Sequence, residues 1–159
     1  STALSTAAGV AGLATLARTR GWWTGRLFRQ PLLWVLHAGH ASVGVGLLLL
    51  ATQPWIGVPA SGPLHAITVG GIGLLTIGMM ARVSLGHTAR PLQAGRGMTS
   101  AFGLVGLALP VRVIGPWVAP GSAVQCMWAA AACWAAGFAV FTVLYLPILT
   151  SPRVDGKPG

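Results

Sequence analysis

From Gln30 to Ala81, and again from Val113 to Pro152, the chain contains no formally charged residue. A water-soluble domain of this size has about a quarter of its residues charged; here the figure is 7%, with 54% hydrophobic. Long charge-free runs of this kind fit lipid as the solvent, and lipid admits only helices or closed barrels. The runs are too long for barrel strands, so the sequence predicts an all-α polytopic bundle. Five apolar spans can be drawn, about 3–17, 32–51, 64–82, 98–117 and 122–149. The span at 98–117 is interrupted by Pro110 and Arg112. The span at 3–17 reads as the end of a helix whose start is missing, so residues 1–159 form a single membrane domain, the C-terminal portion of a longer protein.

The charges that remain are one-sided. Ten Lys and Arg face one acid, Asp155. Arg18, Arg20, Arg26 and Arg29 lie between the first two spans, and Arg82, Arg90 and Arg96 follow the third. Arg153 and Lys157 follow the fifth, while the connections at 52–63 and between spans four and five carry no charge. Basic and neutral connections alternate, as the positive-inside bias requires. The pattern predicts an outside N-terminus, a cytoplasmic C-terminus and cytoplasmic loops at 18–31 and 83–97. Because the basic residues punctuate apolar runs, nucleic acid is not an expected partner; the lipid bilayer is. Trp22, Trp23 and Trp34 fit the inner interface and Trp55 and Trp117 the outer one, whereas Trp128 and Trp134 fit neither.

With Asp155 as the only carboxylate, no paired-carboxylate acid–base site is available in this chain. Cys126 and Cys133, seven residues apart on one helix, are separated by about 10 Å along its axis and do not pair. The "GGIG" at 70–73 lacks dinucleotide-loop spacing and reads as helix packing. Pairs of small residues four apart, Ala8 with Gly12 and Ala129 with Cys133, mark possible close helix contacts.

Four histidines, His37, His40, His65 and His87, are the candidates for chemistry. An ionisable side chain in a membrane span is a functional hypothesis by default, against the plainer reading of a neutral imidazole bonded to the next helix. Imidazole also binds haem iron and copper. Depth divides them. His65 opens the third span at the outer face, roughly 25 Å along the helix from Arg82. His37 and His40, on a similar face, belong to the inner half, and His87 lies just past the inner end of its span. Arg112 reaches the outer half near the depth of His65, with no acid of this chain to pair it. It either snorkels or holds an anion such as a haem propionate. Cys126 and Met127 lie near the outer end of the fifth span and are weak soft-metal candidates.

"MMARVSLGHTARPL" (79–92) gathers Arg82, His87 and Arg90 at the inner end of the third span. The plain account is topological, with the proline at 91 ending the helix. The sharper one sets His87 beside His37 to hold a metal or haem iron, with Arg82 or Arg90 on propionates.

"HAITVGGIGLLTIGMMARVSLGHTARPL" (65–92) resembles the signature region of the NnrS family. "LLWVLHAGHA" (32–41) and "LPILTSPRVDGKPG" (146–159) are similar to its C-terminal parts. The resemblance implies a bacterial inner-membrane protein associated with haem and copper and linked to denitrification and the nitric oxide response, completed by further N-terminal helices. Nitric oxide or a related small molecule is then an implied partner. The family motif falls on His65, Arg82, Ser84, His87, Arg90 and Pro91, with His37 in the preceding span; His40 departs from it, since an aromatic residue commonly stands there. The competing readings are a permease-like bundle without a redox centre, in which the glycine-rich third span lets helices slide, and a structural subunit whose histidines are merely hydrogen-bonded.

Overall fold

The computed structural model describes residues 2–157, and these are all-α. Residue 1 and the last two residues of the tail lie outside the described residues. Five long helices follow one another: α1 (Thr2–Gly21), α2 (Pro31–Ile56), α3 (Gly62–His87), α4 (Arg96–Val118) and α5 (Ala123–Leu149). Each covers an apolar span expected from the sequence. Most run past it into the polar ends, where Arg18, Arg20, Arg82 and Arg96 are still helical. The helices α2 to α5 are long and apolar enough to cross a membrane. The expected fifth crossing is a helix too, but α1, rich in alanine and threonine and ending on two arginines, falls below that apolarity.

Glycines set the register. A Cβ on Gly12 would stand 3.0 Å from the Gly44 carbonyl oxygen, so α1 and α2 meet backbone to backbone. Gly39, Gly46, Gly71 and Gly78 let α2 and α3 approach closely: Gly46 admits no Cβ beside the Pro63 carbonyl oxygen, 2.9 Å away, and Gly78 none beside the Val35 side chain. Position 46 lies against 63–67, 39 against 74–75 and 78 against 35, which makes the pair antiparallel. In lipid such close approach stabilises by van der Waals contact rather than by expelling water. The Ala8–Gly12 pair belongs to this set, both residues being buried. Ala129 does not; it is exposed, and α5 closes on α4 instead through Gly137, whose Cβ would lie 2.9 Å from the Ala101 carbonyl oxygen.

Val35, Leu74, Ile77, Met98, Phe102 and Val105 are wholly buried between α2, α3 and α4. Phe141 and Tyr145 of α5, stacked at 4.7 Å, cover them. Outward, Val124, Trp128, Val143 and Leu146 leave an apolar surface suited to acyl chains. The alternating directions collect every Lys and Arg except Arg112 at one end, the basic end; the opposite, neutral end carries the 57–61 connection.

Candidate functional site at the neutral end

At the neutral end lies an open cavity of about 530 Å³, within the ~300–1,000 Å³ range of small-molecule and cofactor sites. His65 and Thr68 of α3, Arg112 of α4, and Met127 and Trp134 of α5 line it. The shared depth of His65 and Arg112 expected from the sequence is therefore a shared cavity, and Met127 belongs to it.

Local winding builds this wall. Immediately after His65, residues Ala66–Ile72 form a π-helix of seven residues, a conformation that is rare and concentrated at functional sites. Its wider turn needs close neighbours on its far sides, and Gly70 and Gly71 provide them. A Cβ on Gly70 would meet Leu109 at 2.8 Å, and one on Gly71 would meet Val43 at 2.6 Å. The stretch "GGIG", read as packing, is thus part of the site's frame as well.

The His65 ring is oriented. Its Nδ1 lies 2.6 Å from the carbonyl oxygen of Ser61, one turn earlier. A carbonyl only accepts, so Nδ1 carries the proton and Nε2 keeps its lone pair. Metal-binding histidines are commonly held in this way, through a backbone carbonyl on the other nitrogen. Arg112, half-buried, makes no side-chain hydrogen bond or ion pair among the described residues. The one acid, Asp155, is engaged with Arg153 at the other end. Pro116 has no N–H for the Arg112 carbonyl four residues back, so the helix is locally open beside this cation. The cavity thus offers one imidazole lone pair, one thioether and one uncompensated positive charge.

At the basic end the remaining candidates separate. Both ring nitrogens of His37 face carbonyl oxygens, Nδ1 that of Leu33 at 2.9 Å and Nε2 that of Trp22 at 3.1 Å. His40 shares that face, as expected: the Trp22 ring stands 6.1 Å from His37 and 4.8 Å from His40, with the Arg18 guanidinium 5.6 Å from its centre. The Nε2 of His40 is buried without a partner. His37 and His87 are not brought together. The α3-facing positions of α2 are Val35 and Gly39. Two residues on either side of 37 is about 200° around a helix, which turns His37 to α1. The His87 side chain is exposed; its carbonyl oxygen accepts a hydrogen bond from Arg153 Nη1 at 3.1 Å.

The motif containing Arg82, His87 and Arg90 ends as the sequence expects, in a turn. The Arg90 N–H donates to Leu85 O and the Ala89 N–H to Gly86 O, the paired bonds of a Schellman cap. Ala89 takes the left-handed position, φ 57°. The Arg90 Nη1 is buried and unpartnered, while Arg82 lines a separate cavity with Arg26 and Arg29. Cys126 packs on the α4 backbone at Gly115 and does not line the His65 cavity; both cysteines are free. Among the described residues no three His, Cys, Asp or Glu side chains gather to hold a metal ion. The donor set at His65 therefore fits a group needing one protein imidazole and a cation for its acid, as haem does. It does not by itself complete a copper site.

The sequence reading missed Trp134 and Thr68 as lining residues. Trp134 did carry a signal, as a tryptophan too deep for an interfacial belt. The π register that turns Thr68 inward had none.

Among known proteins, the family model described as NnrS protein matches residues 1–153. The chain finds no match among curated proteins or among solved structures. Its coverage by that one model, together with its four long apolar helices, makes the chain a member of the NnrS family of helical membrane proteins.

Proposed function

We propose that the His65–Arg112 cavity is a haem site of a bacterial inner-membrane protein acting in nitric oxide metabolism or in resistance to nitrosative stress. Haem, when bound, supplies the iron chemistry. The chain's own residues would hold and orient it: His65 would offer Nε2 to the iron, and Arg112 would pair a propionate through a charge-assisted bond. Met127 and Trp134 line the apolar side of the cavity. The observation that carries this reading is the His65 Nδ1 contact to the Ser61 carbonyl, which leaves the lone pair on Nε2 of a ring that lines the cavity. Copper, associated with the family resemblance, would draw further ligands from outside this set. The absorption spectrum of the purified complete protein tests the reading: a Soret band is expected, and its absence after haem supplementation contradicts it.

The permease reading draws on one observation, the seven-residue π segment within α3, which would serve as a hinge. A protein without a Soret band whose substrate uptake fell on straightening that segment would favour it. In either reading the basic end faces the cytoplasm, the side that the positive-inside bias favours. Cysteine labelling of intact cells at position 26 or 90 from outside would contradict that placement.

A further inference from the structure

We propose that the basic end carries a second, separate site that binds a phosphate group. Arg26 and Arg29, from the turn before α2, and Arg82, from the last turns of α3, line one cavity of about 740 Å³ with Gln30 and Gln93. No acid lies among the lining residues, and the chain's only carboxylate is occupied by Arg153. Three guanidinium groups around one space repel each other unless an anion sits between them. The start of α2 adds to the pull. Pro31 has no N–H, and the N–H groups of Leu33 and Trp34 both donate to Gln30 O, so the Leu32 N–H is the first-turn donor left free at the cavity wall.

The donor set selects the anion. A carboxylate offers two oxygens in one plane, whereas a phosphate offers more acceptor oxygens and spreads them over a tetrahedron. Three arginines lining one space from two separate elements suit the larger, tetrahedral set of oxygens of a phosphate. The site is distinct from the His65 cavity in every lining residue. Two sources carry this chemistry: the phosphodiester headgroup of an anionic phospholipid and free phosphate. Leu33 and Leu92 at the same cavity give an acyl chain an apolar exit, and basic pockets at cytoplasmic helix ends are a recurring seat for anionic headgroups.

Native mass spectrometry of the complete protein in neutral detergent tests the proposal, with dioctanoyl phosphatidylglycerol, dioctanoyl phosphatidylcholine and inorganic phosphate as probes. Phosphatidylglycerol is expected to bind the wild type in preference to phosphatidylcholine. The Arg26→Gln/Arg29→Gln variant, both positions being exposed and tolerant of a polar substitution, should bind it at least about tenfold more weakly, since two of the three arginines are lost. Arg96→Gln, at an exposed arginine outside the cavity, should bind as wild type. Displacement of the lipid by excess inorganic phosphate identifies free phosphate as the ligand; retention identifies the lipid. Equal binding of the two lipids, unchanged binding by the double variant, or binding of neither phosphatidylglycerol nor phosphate by the wild type would overturn the proposal.

Discussion

His65 and Ser61 are joined across one helical turn by a 2.6 Å contact between the imidazole Nδ1 and the backbone carbonyl oxygen. Because that oxygen can only accept, the contact puts the proton on Nδ1 and leaves the lone pair on Nε2 of a ring that lines the cavity. Trp22 and Leu33 treat His37 differently, engaging both of its nitrogens with carbonyls. Two histidines that look equivalent in sequence therefore differ in what they can bind.

Arg112 is the cation of the neutral-end cavity and has no protein partner among the described residues. Arg112→Leu should keep the fold and reduce retention of an anionic cofactor, with Arg112→Lys intermediate because a point charge replaces the fork. Cofactor content per protein after purification is the measurement. Unchanged content in the leucine variant would mean that Arg112 only snorkels.

The five helices were legible because charge-free runs and their breaks are one-dimensional signals. The division of the histidines between the two ends of the bundle was legible from rise per residue alone. The His37–His87 pairing failed for a rotational reason. Depth places two side chains at one level, but only packing against α1 or α3 decides which way α2 turns, and that is set by Gly12–Gly44 and Gly39–Leu75 contacts scattered along the chain. The π winding after His65 leaves no periodicity to read over only seven residues, so Thr68 was invisible as a wall residue.

Gly137 should tolerate no side chain. A Cβ there would lie 2.5 Å from Val105 Cγ2 and 2.9 Å from the Ala101 carbonyl oxygen. The second neighbour is backbone and cannot step aside. Gly137→Ala is expected to lower stability by about 1–3 kcal/mol, whereas Gly103→Ala, with open space around its Cβ, should be neutral or slightly stabilising in a helix. Thermal unfolding in detergent compares them.

Ala89 holds the left-handed position of the Schellman cap that ends α3. Glycine normally occupies it, since a Cβ there costs about 1 kcal/mol or somewhat more. Ala89→Gly should therefore raise the unfolding temperature. A decrease would show that the α3 end is held by other means.

The tail beyond α5 is tied to the same cap. Arg153 binds Asp155 through Nε and Nη2, at 2.9 and 2.8 Å, and reaches His87 O through Nη1. The Arg153 hydrogen bond is the main cause that holds the Asp155 carboxyl at about 2 rather than 3.8. A depressed carboxyl contributes to docking above its unfolded value and loses that contribution as pH falls through the folded one. Docking should thus be constant from neutral pH down to about 4 and weaken toward 2. Amide exchange at Val154, whose N–H donates to Thr88 O, reports it; Asp155→Asn should abolish the pH dependence.

The haem content of His65→Ala beside that of His37→Ala, read from the Soret band of the complete protein at equal protein concentration, is the most direct measurement. The account predicts that His65→Ala loses most of the band while His37→Ala, whose ring nitrogens already face carbonyls, keeps it. A full Soret band in His65→Ala, with or without loss in His37→Ala, would contradict the assignment of the neutral-end cavity as the haem site.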